Sequence, residues 1–196
     1  MQHRFGGYTT SDKEIKDLGL AWLAISLAFA IVLGGSSFDF TFVLIFIVSA
    51  ITVGTGFILH ELAHKIVAQK FGCYAEFRAD YKMLGLAVLM SFFGFIFAAP
   101  GAVMISGYVN RITNGKISAA GPVTNLVVAF VFMVFGILFG TAGFLGLIFS
   151  YGFMINTWLG LFNMIPFSVF DGAKILKWNS GVYYSIVAVG VLFLMI

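Results

Sequence analysis

Between Phe40 and Leu59 the chain runs for twenty residues without a charged side chain, and it then meets His60-Glu61-Leu62-Ala63-His64. A helix of about twenty residues is roughly 30 Å long, the thickness of a bilayer's hydrocarbon core. Only a structure that satisfies its own backbone hydrogen bonds is tolerated in that setting, so this stretch is confined to a helix. The polar cluster at its end is the costly part. Ionisable side chains persist at membrane depth when they are paired or perform chemistry.

Composition extends the constraint to the whole chain. Of 196 residues, 61% are hydrophobic and 10% are charged. A soluble domain of this length could not hide so much apolar surface. The expected fold is therefore an all-α membrane protein, a multi-pass helical bundle whose implied surroundings are the lipid bilayer. A net charge of +3 does not imply nucleic acid, and none is expected as a partner. The single cysteine, Cys73, excludes an intramolecular disulfide and is too isolated for a cysteine-based metal cluster; a packing role suits it. No cleavable signal peptide is expected. The first sixteen residues are polar, and the first apolar run leads into a second span.

Ser11-Asp12-Lys13-Glu14 has capping-box spacing and predicts a helix start. That helix becomes a first span, about Leu18 to Leu33. Gly34-Gly35-Ser36-Ser37 predicts a turn. A second helix is expected to run from Phe40 through the motif to about Phe71. At roughly 48 Å it outruns the hydrocarbon layer, so His60 falls near one membrane face. Tyr74 to Lys82 mixes charges with β-prone aromatics and predicts a short surface strand. Leu84 to Ala99 is apolar but short for a crossing, and Pro100-Gly101 ends it. With basic flanks at Lys82 and Arg111 it reads as a re-entrant or interfacial hairpin, with a second strand over Ala102 to Val109. Spans follow over Ile117–Phe139, which contains Gly121-Pro122, and Phe144–Ile165. A last span starts after Asp171-Gly172. The organisation expected is one domain over residues 1–196. It has a cytoplasmic N-terminus (1–17), a hairpin region (73–115) and a functional core (60–172).

Charge tests this arrangement of five spans and one hairpin. With the N-terminus in the cytoplasm, the cytoplasmic segments are 1–17, 65–116 and 171–178. All eleven lysines and arginines fall there, and the external loops, 34–39 and 140–143, carry only Asp39. That satisfies the positive-inside rule. A full crossing by 84–99 would move the later basic clusters outside. The expected location is a cell membrane, with the His60–His64 end on the cytoplasmic side.

His60 and His64 stand at i and i+4 and share one helical face, so both imidazoles can reach one ion. Glu61 can hold a water at that ion and take its proton. Solvated helix faces produce the same letters by chance. This chain has three histidines and places two in the motif, while His3 lies in the polar N-terminus and reads as incidental. The donor types suit zinc, one Zn2+ per chain. A catalytic zinc site usually has three protein ligands and one open position. Apart from Glu61, the carboxylates are Asp12, Glu14, Asp17, Asp39, Glu76, Asp80 and Asp171. Three are N-terminal, one is in the opposite loop, and Glu76 and Asp80 are in the surface hairpin. Asp171 follows the break at Pro166, at the depth expected of His60 and His64. It is the candidate third ligand, and a helix N-cap is its simpler alternative.

Phe162-Asn163-Met164-Ile165-Pro166, continued to Asp171-Gly172, resembles the Asn-x-x-Pro-x-x-x-x-Asp-Gly element of site-2 proteases, which are intramembrane zinc metalloproteases. Gly121-Pro122-Val123-Thr124-Asn125 resembles their Gly-Pro-x-x-Asn element, and His60-Glu61-x-x-His64 their zinc motif. The three occur in family order. Pro100-Gly101-Ala102 is a weaker match to a membrane-associated β segment of the archaeal and bacterial branch. Ala173 departs from the pattern at a position where a second glycine is common. The resemblance implies that His60, His64 and Asp171 hold zinc and that Glu61 is the general base. It implies that Asn163 holds substrate or the developing oxyanion. For Asn125, interhelical hydrogen bonding is the preferred reading. The implied activity is hydrolysis of peptide bonds in or near transmembrane segments of membrane-anchored substrates, as in regulated intramembrane proteolysis. The implied partner is a transmembrane protein or peptide. A substrate helix must unwind locally to be cut, and the 73–109 hairpin could receive the unwound strand. Two other readings are a divalent-metal transporter, which needs polar groups along a whole path, and a catalytically silent zinc-binding membrane protein.

Overall fold

A computed structural model describes residues 2–5, 7–35, 39–96, 100–167 and 169–196. Four of its helices are long and apolar enough to cross a membrane: Asp12–Gly34, Phe40–Lys70, Arg111–Phe139 and Gly143–Asn163. Strands form only two-stranded sheets among the described residues. The fold is an all-α membrane bundle. The chain divides into two compact units, residues 1–58 with 76–104, and residues 59–75 with 105–196.

The first unit opens with an antiparallel hairpin, β1 (Gln2–Phe5) and β2 (Tyr8–Ser11), in the register Phe5↔Tyr8. Ser11 then caps α1 (Asp12–Gly34), its hydroxyl accepting from the Glu14 amide. The predicted cap at Ser11 is therefore present, and Glu14 also reaches beyond its own helix. Its buried carboxylate accepts from the Phe77 amide at 2.9 Å and the Thr10 hydroxyl at 2.7 Å. Asp39 caps α2 (Phe40–Ser49), which passes through a π-helical turn (Ala50–Gly54) into α3 (Thr55–Lys70). The expected long second helix is present, with a wide turn inside it. Trp22 Nε1 donates to the Ala50 carbonyl at 3.0 Å, one of the carbonyls that this turn displaces.

The strands expected in the hairpin region are β3 (Tyr74–Ala79) and β4 (Gly101–Ser106), and they pair with each other. Between them lies α4 (Tyr81–Ser91), capped by Asp80 and too short to cross. Alternate amides of β3, at Phe77 and Ala79, end on the carboxylates of Glu14 and Asp17. Successive residues of a strand point to opposite sides, so these two share one edge, and α1 covers it. The apolar core of the unit includes Ala30, Ile31 and Phe42, with Leu27, Ile45 and Val88 packed against them. Part of the predicted 34–37 turn, the end of the 84–99 run and Ser168 lie outside the described residues.

The second unit contains most of α3, then α5 (Arg111–Phe139), α6 (Gly143–Asn163), α7 (Asp171–Trp178) and α8 (Ser180–Leu194). The last span expected from sequence is not one helix. Asn179 adopts extended dihedrals, φ −152° and ψ 110°, and its side chain caps Val182, so α7 and α8 are separate helices of 8 and 15 residues. A core of Leu126, Met164, Ile175, Tyr183 and Ile186 joins α5, α7, α8 and the end of α6. Tyr183 donates its hydroxyl to the Met164 carbonyl at 2.9 Å, satisfying the chain where α6 stops. The far end of α5 leaves Ile137, Leu138 and Phe139 largely exposed, as a lipid-facing helix does.

Candidate metal centre

The donors and the groups that hold them belong to the second unit. The i, i+4 spacing on α3 brings the His60 and His64 rings to 4.6 Å between centroids, edge to face. Both are buried. Each Nδ1 is held by an oxygen from α5: Asn125 Oδ1 at 2.5 Å from His60, and the Ile117 carbonyl at 2.8 Å from His64. Oxygen acceptors fix the Nδ1 proton, which leaves both Nε2 lone pairs facing inward. Asn125 is itself held, donating from Nδ2 to Asn156 Oδ1 at 3.1 Å, and Asn156 donates to the Gly152 carbonyl at 2.9 Å. This chain of amides orients the His60 ring, as outer partners of metal-binding histidines do.

Asp171 supplies the third donor. It is the first residue of α7, but Phe170 occupies the cap position and makes no side-chain cap. The carboxylate is turned inward instead. Its Oδ2 lies 3.0 Å from His64 Nε2 and 3.5 Å from His60 Nε2, and the two Nε2 atoms are 3.0 Å apart. Its Oδ1 lies 3.6 Å from Lys174 Nζ. Gly172 follows because any side chain there would run into the Met164 backbone.

Three buried acceptor atoms so close together repel one another unless a proton or cation lies among them. Their spacing suits a metal ion. Tetrahedral donors about 2.05 Å from a zinc ion stand about 3.3 Å apart, and the three distances here are 3.0, 3.0 and 3.5 Å. Among the described residues this is the one group of three or more His, Cys, Asp or Glu residues with that convergence. Space for an ion exists because residue 121 is glycine. A Cβ there would lie 2.5 Å from His60 Nε2 and would also strike His64 Nε2. The residues present fit a divalent metal with three protein ligands.

Glu61 is half-buried beside the cluster, where the charges acting on it are those of His60, Asp171 and Lys174. The Asn163 amide donates to the Leu159 carbonyl of its own helix at 2.9 Å. The interhelical role expected of Asn125 is present and has His60 at one end. Asn156 went unnoticed in the sequence. An amide within an otherwise apolar span was the available signal, since polar groups there are rare without a partner. Glu76 and Asp80, the hairpin carboxylates, have other tasks. Glu76 accepts from Ser11 and Arg78, and Asp80 caps α4. His3 pairs with Asp12 at 2.7 Å.

The chain is 46% identical over 171 residues to a candidate zinc metalloprotease of Methanocaldococcus jannaschii, covering 86% of each chain. It is 29% identical over 150 residues to a candidate zinc metalloprotease of Bacillus subtilis, covering 65% of this chain and 66% of that one. No family model and no solved structure matches it.

Proposed function

The chain belongs to the zinc metalloprotease family of these two relatives, and on that premise we propose that it is an intramembrane peptidase of the site-2 type. Its substrates are membrane-anchored proteins cut in or near a transmembrane segment, as in regulated intramembrane proteolysis. The observation that carries this reading is the convergence of three buried donors, from α3 and α7, at tetrahedral spacing in a chain with four apolar spans.

In this reading His60, His64 and Asp171 hold one Zn2+, with the imidazoles fixed by Asn125 and the Ile117 carbonyl. Bound there, zinc supplies Lewis acidity, which makes water a competent nucleophile near neutral pH and polarises a peptide carbonyl. Glu61 accepts a proton from the attacking water and returns it to the leaving amine. Lys174 lies against the outer oxygen of Asp171, opposite the oxygen that faces the histidines. Asn163 is the candidate donor to the oxyanion, a role in which its amide leaves the Leu159 carbonyl. The outer edge of β4 accepts the unwound substrate strand. In this reading the cationic segments and the site face the cytoplasmic side of a cell membrane, which the positive-inside rule supports.

The test is incubation of the purified full chain with a reporter transmembrane substrate, with and without chelator, beside Glu61→Gln. The expected result is cleavage that chelator abolishes and Glu61→Gln lowers by about 10²–10⁴-fold, at unchanged zinc content. Zinc flux in proteoliposomes without cleavage would point to a transporter. Full zinc occupancy with no cleavage would leave a structural metal.

A further inference from the structure

A second polar feature of the same unit shares only Lys174 with the metal centre. Arg111 and Asn114, on the first turn of α5, and Lys174 and Lys177, on α7, line a cavity of about 370 Å³. Lys174 and Lys177 are three residues apart and share a helix face. Arg111 donates its Nε to the Lys177 carbonyl, which fixes the guanidinium at the rim and leaves its two terminal nitrogens for another partner. Among the described residues no carboxylate lines the cavity, and none pairs with Arg111 or Lys177. Lys174 alone has one, Asp171 at 3.6 Å. Three cations around one space repel one another unless an anion enters.

We propose that this cavity binds a phosphate group, that of an anionic phospholipid headgroup. The donors suit phosphate: a planar guanidinium for two oxygens, two ammonium groups and an amide. The depth suits a lipid. Lys116 is the last charged residue of α5, and Arg111 and Asn114 precede it by about 7 and 3 Å along the axis. The headgroup layer outside the hydrocarbon core is about 5–8 Å thick on each side. The cavity therefore opens where lipid phosphates lie. Basic pockets at the cytoplasmic ends of spans are a known mode of headgroup binding. The size suits a headgroup better than a small ion, being in the range of ordinary ligand pockets.

The test uses the full chain in mixed micelles of phosphatidylcholine and phosphatidylglycerol, with lipids retained on the protein counted by native mass spectrometry. The expected result is preferential retention of phosphatidylglycerol. Lys177→Gln should weaken it about five-fold and Arg111→Gln with Lys177→Gln about twenty-fold, while Lys177→Arg preserves it. Lys70→Gln, on a basic residue outside the cavity, should leave it unchanged. Lys174 is not varied because it also contacts Asp171. Equal retention of the two lipids overturns the proposal, and so does an equal loss in Lys70→Gln. A parallel arm adds millimolar inorganic phosphate to phosphatidylcholine micelles. Protection against thermal unfolding there, without a preference for phosphatidylglycerol, assigns the cavity to free phosphate and overturns the lipid assignment. The readout is lipid retention, so its failure is separate from any failure of peptidase activity.

Discussion

At the scale of single residues, the centre depends as much on what is missing at position 121 as on the donors. Ala at that position is a gain for an α-helix of up to about 1 kcal/mol, so Gly121→Ala should leave helicity intact. Its methyl group would occupy the space between His60 Nε2, His64 Nε2 and the ion. The expected outcome is a folded chain that no longer retains zinc, measured by elemental analysis beside circular dichroism; wild-type zinc content would remove the geometric argument. Asn125 makes a graded test. Asn125→Ala removes the acceptor on His60 Nδ1 and the donor to Asn156 Oδ1. Loss of such an outer partner typically weakens metal binding 10–100-fold. Competition against a chelator should show a loss of that size, with Glu61 chemistry impaired in proportion to occupancy. The donors could be read from the sequence because helical spacing and charge placement both restrict them. The Asn125–Asn156 link could not, since it joins two helices whose mutual rotation no local pattern encodes.

At the scale of elements, the spans were legible because their apolar runs end at charges, prolines or glycines. α5 starts at Arg111, earlier than the apolar run alone suggests, because Asn110 caps the Thr113 amide at 2.8 Å and recruits a polar first turn. The π-helical turn at Ala50–Gly54 was not legible. Its residues suit an α-helix equally well, and the wide turn is supported by Trp22 and Ser26 of α1 packing against Gly54, a contact distant in sequence. The N-terminal hairpin was legible in retrospect, as Gly6-Gly7 between β-prone residues is a two-residue turn signal. The break at Asn179 was similarly available, Asn before Ser-Gly being a strong cap. The two-stranded β3–β4 sheet makes a specific prediction. α1 covers the outer edge of β3, so the strand available for pairing with a substrate is β4. Adjacent residues of a strand direct their N–H groups to opposite edges. Proline at Met104 and at Ile105, tested separately, should therefore differ. The one that faces outward should reduce cleavage at unchanged zinc content. Normal cleavage in both variants would exclude strand addition on β4.

At the scale of the whole molecule, the distribution of charge bears on function because peptide hydrolysis needs water and lipid excludes it. Eleven cationic side chains occupy segments 1–17, 65–116 and 171–178, and the 140–143 turn between α5 and α6 carries none. α3 reaches Lys65 and Lys70 within two turns of His64, and α7 carries Lys174 and Lys177 after Asp171. The donors therefore lie at the charged ends of their own elements, where water can enter. Held to one side of a membrane, those ends define the compartment from which substrates are cut. With Cys73 replaced by alanine, the chain carries no other thiol, and single cysteines can be placed at exposed positions. Lys13→Cys, Lys82→Cys and Lys177→Cys should react with an impermeant maleimide only after cells are permeabilised. Thr141→Cys, in the uncharged turn, should react in intact cells. Labelling of Lys177→Cys in intact cells, with Lys82→Cys still protected, would mean that the 84–99 segment crosses the bilayer. The cationic segments after it would then face the exterior, and Asp171 would be carried to the side opposite His60 and His64.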